Sequence, residues 1–217
     1  MLEKMSEFFE RRLDGYDEHM MNNIECAGKF YPFTAECLPD IDRAEILDLG
    51  CGTGLELLWI YERMPDVKIT GIDLSEGMLT ELRRKFPNKD VELICGSYFE
   101  LPLGNEKYDA AVSVESLHHF TKDEKIPLYQ KLYRALKSGA SFVLTDFFAL
   151  TEDEEIMHRE ALEKQKQDLG ICDSELYHYD TPLTVEHESE ALMAAGFDTV
   201  ELLGKWGATH TLKATKR

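Results

Sequence analysis

Apolar and polar positions follow two registers along this chain. Short apolar runs, EILDL (45–49), VKITGID (67–73), VELIC (91–95), YDAAVSV (108–114) and SFVLTDFF (141–148), read as strands. Runs so continuously apolar suit strands covered on both faces. Between them lie helix signals. Gly54 to Met64 reads as a helix stopped by Pro65, and Ser75 can cap the next, with Glu76 in its first turn and Pro87 beyond its end. Thr121 and Glu124 are spaced as a capping box, opening a helix that ends before Gly139. Such alternation implies right-handed crossovers and a doubly wound, mostly parallel α/β sheet with helices on both faces.

The flanks break this rhythm. Leu2, Met5, Phe9 and Leu13 share one helix face, and Gly15 and Pro32 interrupt the helical pattern after it. TEDEEIMHREALEKQKQDL reads as a charged, exposed helix, with a loop containing ELYHYDTP after it. A helix over 185–195 ends at Gly196. TVELLGKW (199–206) and HTLKATK (210–216) are joined only around Gly207, which suits antiparallel strands alone, so the last strand should be reversed. The expectation is a single domain over 1–217, with an N-terminal helical lid (1–44), a ligand-binding core (45–150), a helical insert (151–182) and a C-terminal helix with a strand pair (183–217).

Composition narrows the partners. Lys plus Arg total 24 against 42 Asp plus Glu, a formal charge of −18, which repels a phosphate backbone. No apolar run approaches the ~20 residues of a membrane span. The first residues are charged throughout and lack the apolar centre of a signal peptide. These features predict a cytoplasmic protein with neither a nucleic-acid nor a membrane partner. The cysteines at 26, 37, 51, 95 and 172 are odd in number and form no CxxC, so no disulfide framework or zinc site is expected.

DLGCGTG (48–54) puts three glycines at alternate positions, directly after the first strand and before the first helix. Glycine loses more backbone entropy than other residues on folding, so such a cluster needs a reason. In an open parallel sheet, ligands bind at the carboxyl ends of the strands, where backbone must approach closely. Asp73 ends the second strand, 19 residues beyond Gly54, where an acid can bind ribose hydroxyls. Together they point to an adenosine-type ligand. The dinucleotide fingerprint G-x-G-x-x-G would put its third glycine at Leu55, which disfavours an NAD-dependent oxidoreductase.

Asp48 with Gly50, Gly52 and Gly54 resembles the first motif, acid-x-G-x-G-x-G, of the class I S-adenosylmethionine-dependent methyltransferases. GIDLSEGML (71–79), ICGSYFELPL (94–103), YDAAVSVESLHHF (108–120), LKSGASFVLTDF (136–147) and AGFDTVELLGKW (195–206) are similar to the family's later segments. The resemblance implies a Rossmann-like sheet of seven strands with S-adenosylmethionine as cofactor. It implies that Gly50, Gly52 and Gly54, with Cys51 in the same turn, approach the methionine portion, and that Asp48 helps hold the amino group. Asp73 would bind the ribose, Leu74 and Met78 would pack on adenine, and Ser97 and Tyr98 would stand at its edge. Val114 and Glu115 would line the methyl side.

Methyl transfer from a sulfonium is an in-line displacement that positioning can drive, with a base needed only where the acceptor must lose a proton. No catalytic triad stands out. Glu115, His118 and His119 are the candidate bases, and the resemblance implies Tyr16 over the cofactor. No third ligand is spaced with the histidine pair, so no metal is expected. Aromatic residues of the lid (Tyr16, Phe30, Tyr31, Phe33, beside Met20) and of the insert (Tyr177, His178, Tyr179) suit a small-molecule acceptor. The alternatives are a protein acceptor, or a protein that binds the cofactor without catalysis.

Overall fold

The computed structural model describes residues 2–171 and 175–217. Cys172 and the 172–174 part of the expected insert lie outside the described residues. In chain order the strands are β1 (Glu3–Lys4), β2 (Glu45–Leu49), β3 (Lys68–Asp73), β4 (Val91–Cys95), β5 (Tyr108–Val114), β6 (Leu136–Phe147), β7 (Tyr177–His178), β8 (Thr199–Trp206) and β9 (Thr209–Thr215). The helices are α1 (Met5–Arg11), α2 (Tyr16–Asn23), α3 (Ala27–Cys37), α4 (Leu55–Arg63), α5 (Glu76–Lys85), α6 (Lys122–Ala135), α7 (Glu152–Leu169) and α8 (Val185–Ala194).

Seven strands form one sheet in the order β4-β3-β2-β5-β6-β9-β8. β9 runs antiparallel to both β6 and β8, while the other pairings are parallel. The single reversed strand is therefore the last in sequence, as the short Gly207 connection requires. The order reverses beside β2, so the carboxyl ends of β2, β3 and β5 flank one crevice. Helices cover both faces, and fully buried Leu47, Leu49 and Ala111 pack to one side, Ile46, Ala110 and Val112 to the other. The capping box at Thr121 and Glu124 is formed, and α6 runs almost directly into β6. β6 begins earlier than the apolar run at 141, because Leu136 already pairs with Tyr108 ahead of a bulge.

The N-terminal segment departs from its pattern in two places. Leu13 falls outside α1, which ends at Arg11, and Gly15 then starts α2 with φ +78°. Pro32, expected to interrupt, lies inside α3. Its missing N–H frees the Gly28 carbonyl, and Gly28 is exposed, so the unpaired group is open to solvent. α3 is also clamped to the sheet by hydroxyls: Thr34 donates to Phe30 O at 2.7 Å and meets Thr145 Oγ1 at 2.6 Å, which in turn meets Thr211 Oγ1 at 2.7 Å. Phe30 and Tyr31 are thereby buried between α3, α4 and the sheet. The segment expected as a lid thus divides near residue 24. Only β1, α1 and α2 lie over the crevice, and α3 is a core helix.

β1 and β7 form a two-stranded antiparallel sheet, pairing Glu3 with His178 and Lys4 with Tyr177. Met5 N also donates to Leu176 O at 2.8 Å. This pairing joins the N-terminal segment to the insert, two stretches far apart in sequence.

Candidate functional site

The glycine turn leaves β2 with Gly50 N donating to Ile72 O at 2.8 Å. Gly50 has φ +75°, and a Cβ there would lie 1.9 Å from Ser116 Oγ, so no larger residue fits. Gly52 has φ +47°, and a Cβ on it would meet nothing within 4 Å, because it faces open space. Gly52 N donates to Asp73 Oδ2 and Ser75 N to Asp73 Oδ1, both at 2.9 Å. Asp73 is thus fixed as the bridge between the two strand ends. Burial raises its pKa, opposed by these amide donors.

Gly50, Gly52, Asp73, Leu74, Met78 and Tyr98 form one wall of a narrow cavity. The opposite wall is Met5 and Phe9 of α1 and Tyr16 of α2. Carboxylates tie these two helices to the cleft. Ser75 Oγ donates to Glu10 Oε2 at 2.7 Å, Thr53 Oγ1 donates to Asp17 Oδ1 at 2.5 Å, and Lys85 pairs with Asp17.

Five expected cofactor residues, Asp48, Cys51, Gly54, Ser97 and Val114, stay out of this cavity. Cys51 is buried with its Sγ over Gly71, and Gly54 packs α4 against Leu82 and Phe86. Ser97 Oγ accepts from Phe99 N at 3.2 Å in a tight turn, and Val114 is packed in the core. Tyr98 does reach it and holds Ser116 Oγ at 3.2 Å. Asp48 lies fully buried beneath the turn, beside buried Glu56. Among the described residues, no donor reaches Asp48 Oδ1, Asp48 Oδ2 or Glu56 Oε1. Burial pushes Asp48 well above the usual carboxylate range and Glu56 up to about 7.

A second, larger cavity of about 560 Å³ lies between α1, α2 and the loop that leaves β5. Phe9, Tyr16, Glu115 and His119 line both cavities and so mark their junction. Glu115 leaves β5 with φ +50°, and Thr209 Oγ1 donates to its Oε1 at 3.0 Å. Burial, and then the Asp146 charge, raise Glu115 to about 7. His118 Nδ1 lies 2.5 Å from Asp146 Oδ1, while Leu117 N donates to Asp146 Oδ2 at 2.8 Å. Burial alone would lower His118, but the Asp146 carboxylate outweighs it and holds the ring near 9. His119 is lowered by burial and by its charged neighbour, and His178 falls to about 4, chiefly by burial. Burial would raise Asp180, yet its contacts to His119 and His118 hold it well below the carboxylate range.

All four candidate catalytic residues therefore meet in one place. Of the aromatics expected around an acceptor, Tyr16 and His178 line the second cavity with Met20, but Phe30 and Tyr31 are core residues and Phe33 meets Trp206 edge-on. Tyr177 and Tyr179 do not line it; they carry backbone contacts, Tyr177 in the strand pair and Tyr179 O 3.3 Å from His119 Nδ1. Asp146 and Asp180 were not expected at the site. Their only signals are an acid interrupting SFVLTDFF and the acid of ELYHYDTP.

Comparison with known proteins agrees with this fold. Residues 46–139 match the methyltransferase domain family. A malonyl-[acyl-carrier protein] O-methyltransferase of Acetivibrio thermocellus is 34% identical over 67% of this chain and 50% of its own length. The chain spans about half the length of that relative. A carboxy-S-adenosyl-L-methionine synthase of Campylobacter lari is 25% identical over 99% of this chain and 96% of its own. The structure of human N-acetylserotonin methyltransferase in complex with SAM superposes with a TM-score of 0.66 at 19% identity, covering 97% of this chain and 56% of that one. The sheet order, the glycine turn and these matches define a Rossmann-like methyltransferase fold. The chain belongs to the class I S-adenosylmethionine-dependent methyltransferases. No described helix is long and apolar enough to cross a membrane.

Proposed function

We propose that this chain transfers the methyl group of S-adenosylmethionine to a small-molecule acceptor. The observation that carries this reading is the pair of cavities meeting at Phe9, Tyr16, Glu115 and His119, one walled by Gly52 and Asp73, the other built by the lid and insert. The residues present fit the cofactor. Gly52 leaves open the space a side chain would fill, Asp73 offers a fixed carboxylate, and beneath the turn Asp48 has no donor among the described residues. When bound, S-adenosylmethionine supplies an activated methyl group on a sulfonium.

The chain's own part is positional. Asp73 would hold the ribose hydroxyls by charge-assisted hydrogen bonds, with Leu74 and Met78 against the base. The narrow cavity spans about 40 Å³, below the ~300 Å³ of ordinary small-molecule sites. Met5, Phe9 and Tyr16 supply its lid wall, so entry displaces the lid and closure excludes water. Tyr16, raised by burial and by Asp73, keeps its proton and acts as a donor at the junction. Glu115 is placed to take a proton from an acceptor that must lose one. Apolar Phe8, Phe9 and Met20 in the larger cavity favour an acceptor with an apolar body.

Production of S-adenosylhomocysteine across a panel of small metabolites tests this. Turnover with a small acceptor, lost in Glu115→Gln with cofactor affinity kept, supports the reading. Cofactor binding with turnover only on polypeptides, or with none on any acceptor, overturns it.

A further inference from the structure

We propose that His118, His119 and Asp180 form a binding site for one divalent transition-metal ion at the floor of the larger cavity. Their donor atoms, two imidazole nitrogens and a carboxylate oxygen, all lie within 4.8 Å of one another. Asp180 Oδ1 is 3.2 Å from His119 Nδ1 and 3.6 Å from His118 Nε2. Three donors each about 2.0–2.2 Å from one ion lie roughly 3–3.6 Å apart, so two of the three separations already match.

The surroundings are those of a metal centre. His118 presents Nε2 because its other nitrogen is held by Asp146 at 2.5 Å, and Asp146 is itself fixed by Leu117 N and Phe147 N. A carboxylate orienting a histidine from behind is the usual outer layer of a metal site. The loop bearing Asp180 is tied to the histidine pair, since Thr181 N donates to His118 O at 2.8 Å. Both histidines are buried, whereas the Asp180 side chain is 44% exposed toward the cavity that all three line. Protein ligands therefore come from one side only, and the remaining positions face the space where an acceptor would sit. Two nitrogens and one oxygen suit zinc, cobalt or iron(II) over magnesium or calcium. An ion there could hold an acceptor oxygen and favour its deprotonated form. Without an ion, the same groups are held together by hydrogen bonds among charged side chains, and that is the competing account.

Titration of the chelator-treated full chain with Co²⁺ and Zn²⁺, without cofactor or acceptor, tests the site separately from the methyl-transfer reading. Expected are one ion per chain, a visible Co²⁺ absorption unlike that of the aqueous ion, and displacement of Co²⁺ by Zn²⁺. His119→Gln and Asp180→Asn should each weaken binding at least tenfold, and Asp146→Asn by about 10–100-fold. His19→Gln, at the cavity rim, should bind as the wild type does. Circular dichroism checks each variant's fold; Asp180→Asn, altering a half-exposed side chain, carries the test if a buried substitution unfolds the protein. Wild-type affinity in Asp180→Asn and His119→Gln, or a Co²⁺ spectrum equal to that of the aqueous ion, overturns the proposal and leaves an ion-pair cluster.

Discussion

The two ends of the cleft are built by different means. On the cofactor side the wall is largely backbone: a glycine turn, a strand end and one aspartate that bridges them, all within residues 48–78. Around the larger cavity the wall is side chains from the N-terminal segment, the end of β5 and the insert. A backbone-built wall tolerates few substitutions, because its shape is its conformation. A wall built of side chains can change its chemistry one residue at a time while the sheet stays as it is. Under the proposed reading, the shared chemistry of the family would lie on one side and the acceptor choice of this chain on the other.

The largest break in that contrast should come from Gly50→Ala. A methyl group at φ +75° and 1.9 Å from Ser116 Oγ must displace β5's exit loop, so we expect a loss of about 2–4 kcal/mol in stability and no measurable cofactor binding. Chemical denaturation and calorimetry would show it; a variant as stable as the parent would mean that the turn yields. Asp73→Ala should weaken S-adenosylhomocysteine by roughly 2–3 kcal/mol, the worth of two charge-assisted hydrogen bonds that are not fully additive. Unchanged affinity would reduce Asp73 to a structural bridge between Gly52 and Ser75. NAD should not compete in the same titration.

Glu56 gives a pH test on the cofactor side. Burial raises it from 4.5 to about 7, so between those values the folded protein holds a proton that the unfolded chain releases. That contribution is full below the unfolded value and is lost as pH rises through about 7. Glu56→Gln should therefore raise the Tm at pH 8 and leave it nearly unchanged at pH 4. Equal shifts at both pH values would show that folding does not raise the Glu56 pKa.

Hydrogen exchange addresses the lid. Amides of residues 2–24 and 175–181 should gain protection together, by about tenfold or ~1.4 kcal/mol, when S-adenosylhomocysteine binds, because β1 and β7 join them. α3 should be protected throughout; exchange of α3 with α1 would return the whole 1–44 segment to the lid. The smallest effect is expected for Ser97→Ala. Its hydroxyl accepts from Phe99 N, so we expect about 0.5–1 kcal/mol of stability lost and cofactor affinity within twofold. A tenfold loss of affinity would place Ser97 at the adenine after all.

The sequence by itself determined the sheet and the cofactor wall. Each strand of the core is a local apolar run, each crossover helix carries its own cap or stop, and the turn with Asp73 lies within one βαβ unit. Local patterns suffice there because the interactions are local, set by backbone conformation and by a crossover of fixed hand. The sequence also put Glu115, His118, His119 and Tyr16 among the candidates, though not their partners. Tertiary structure alone decided that Asp146 stands behind His118, that Asp180 returns to the histidine pair, and that β1 pairs with β7. It also decided that α3, with Pro32 inside it, belongs to the core. None of these contacts has a spacing to read, since each joins segments whose separation is set by how the intervening elements pack. A carboxylate at the end of β6 looks the same in sequence whether it faces solvent or a buried imidazole. Only the packed sheet, which brings the β5 and β6 ends side by side, distinguishes the two.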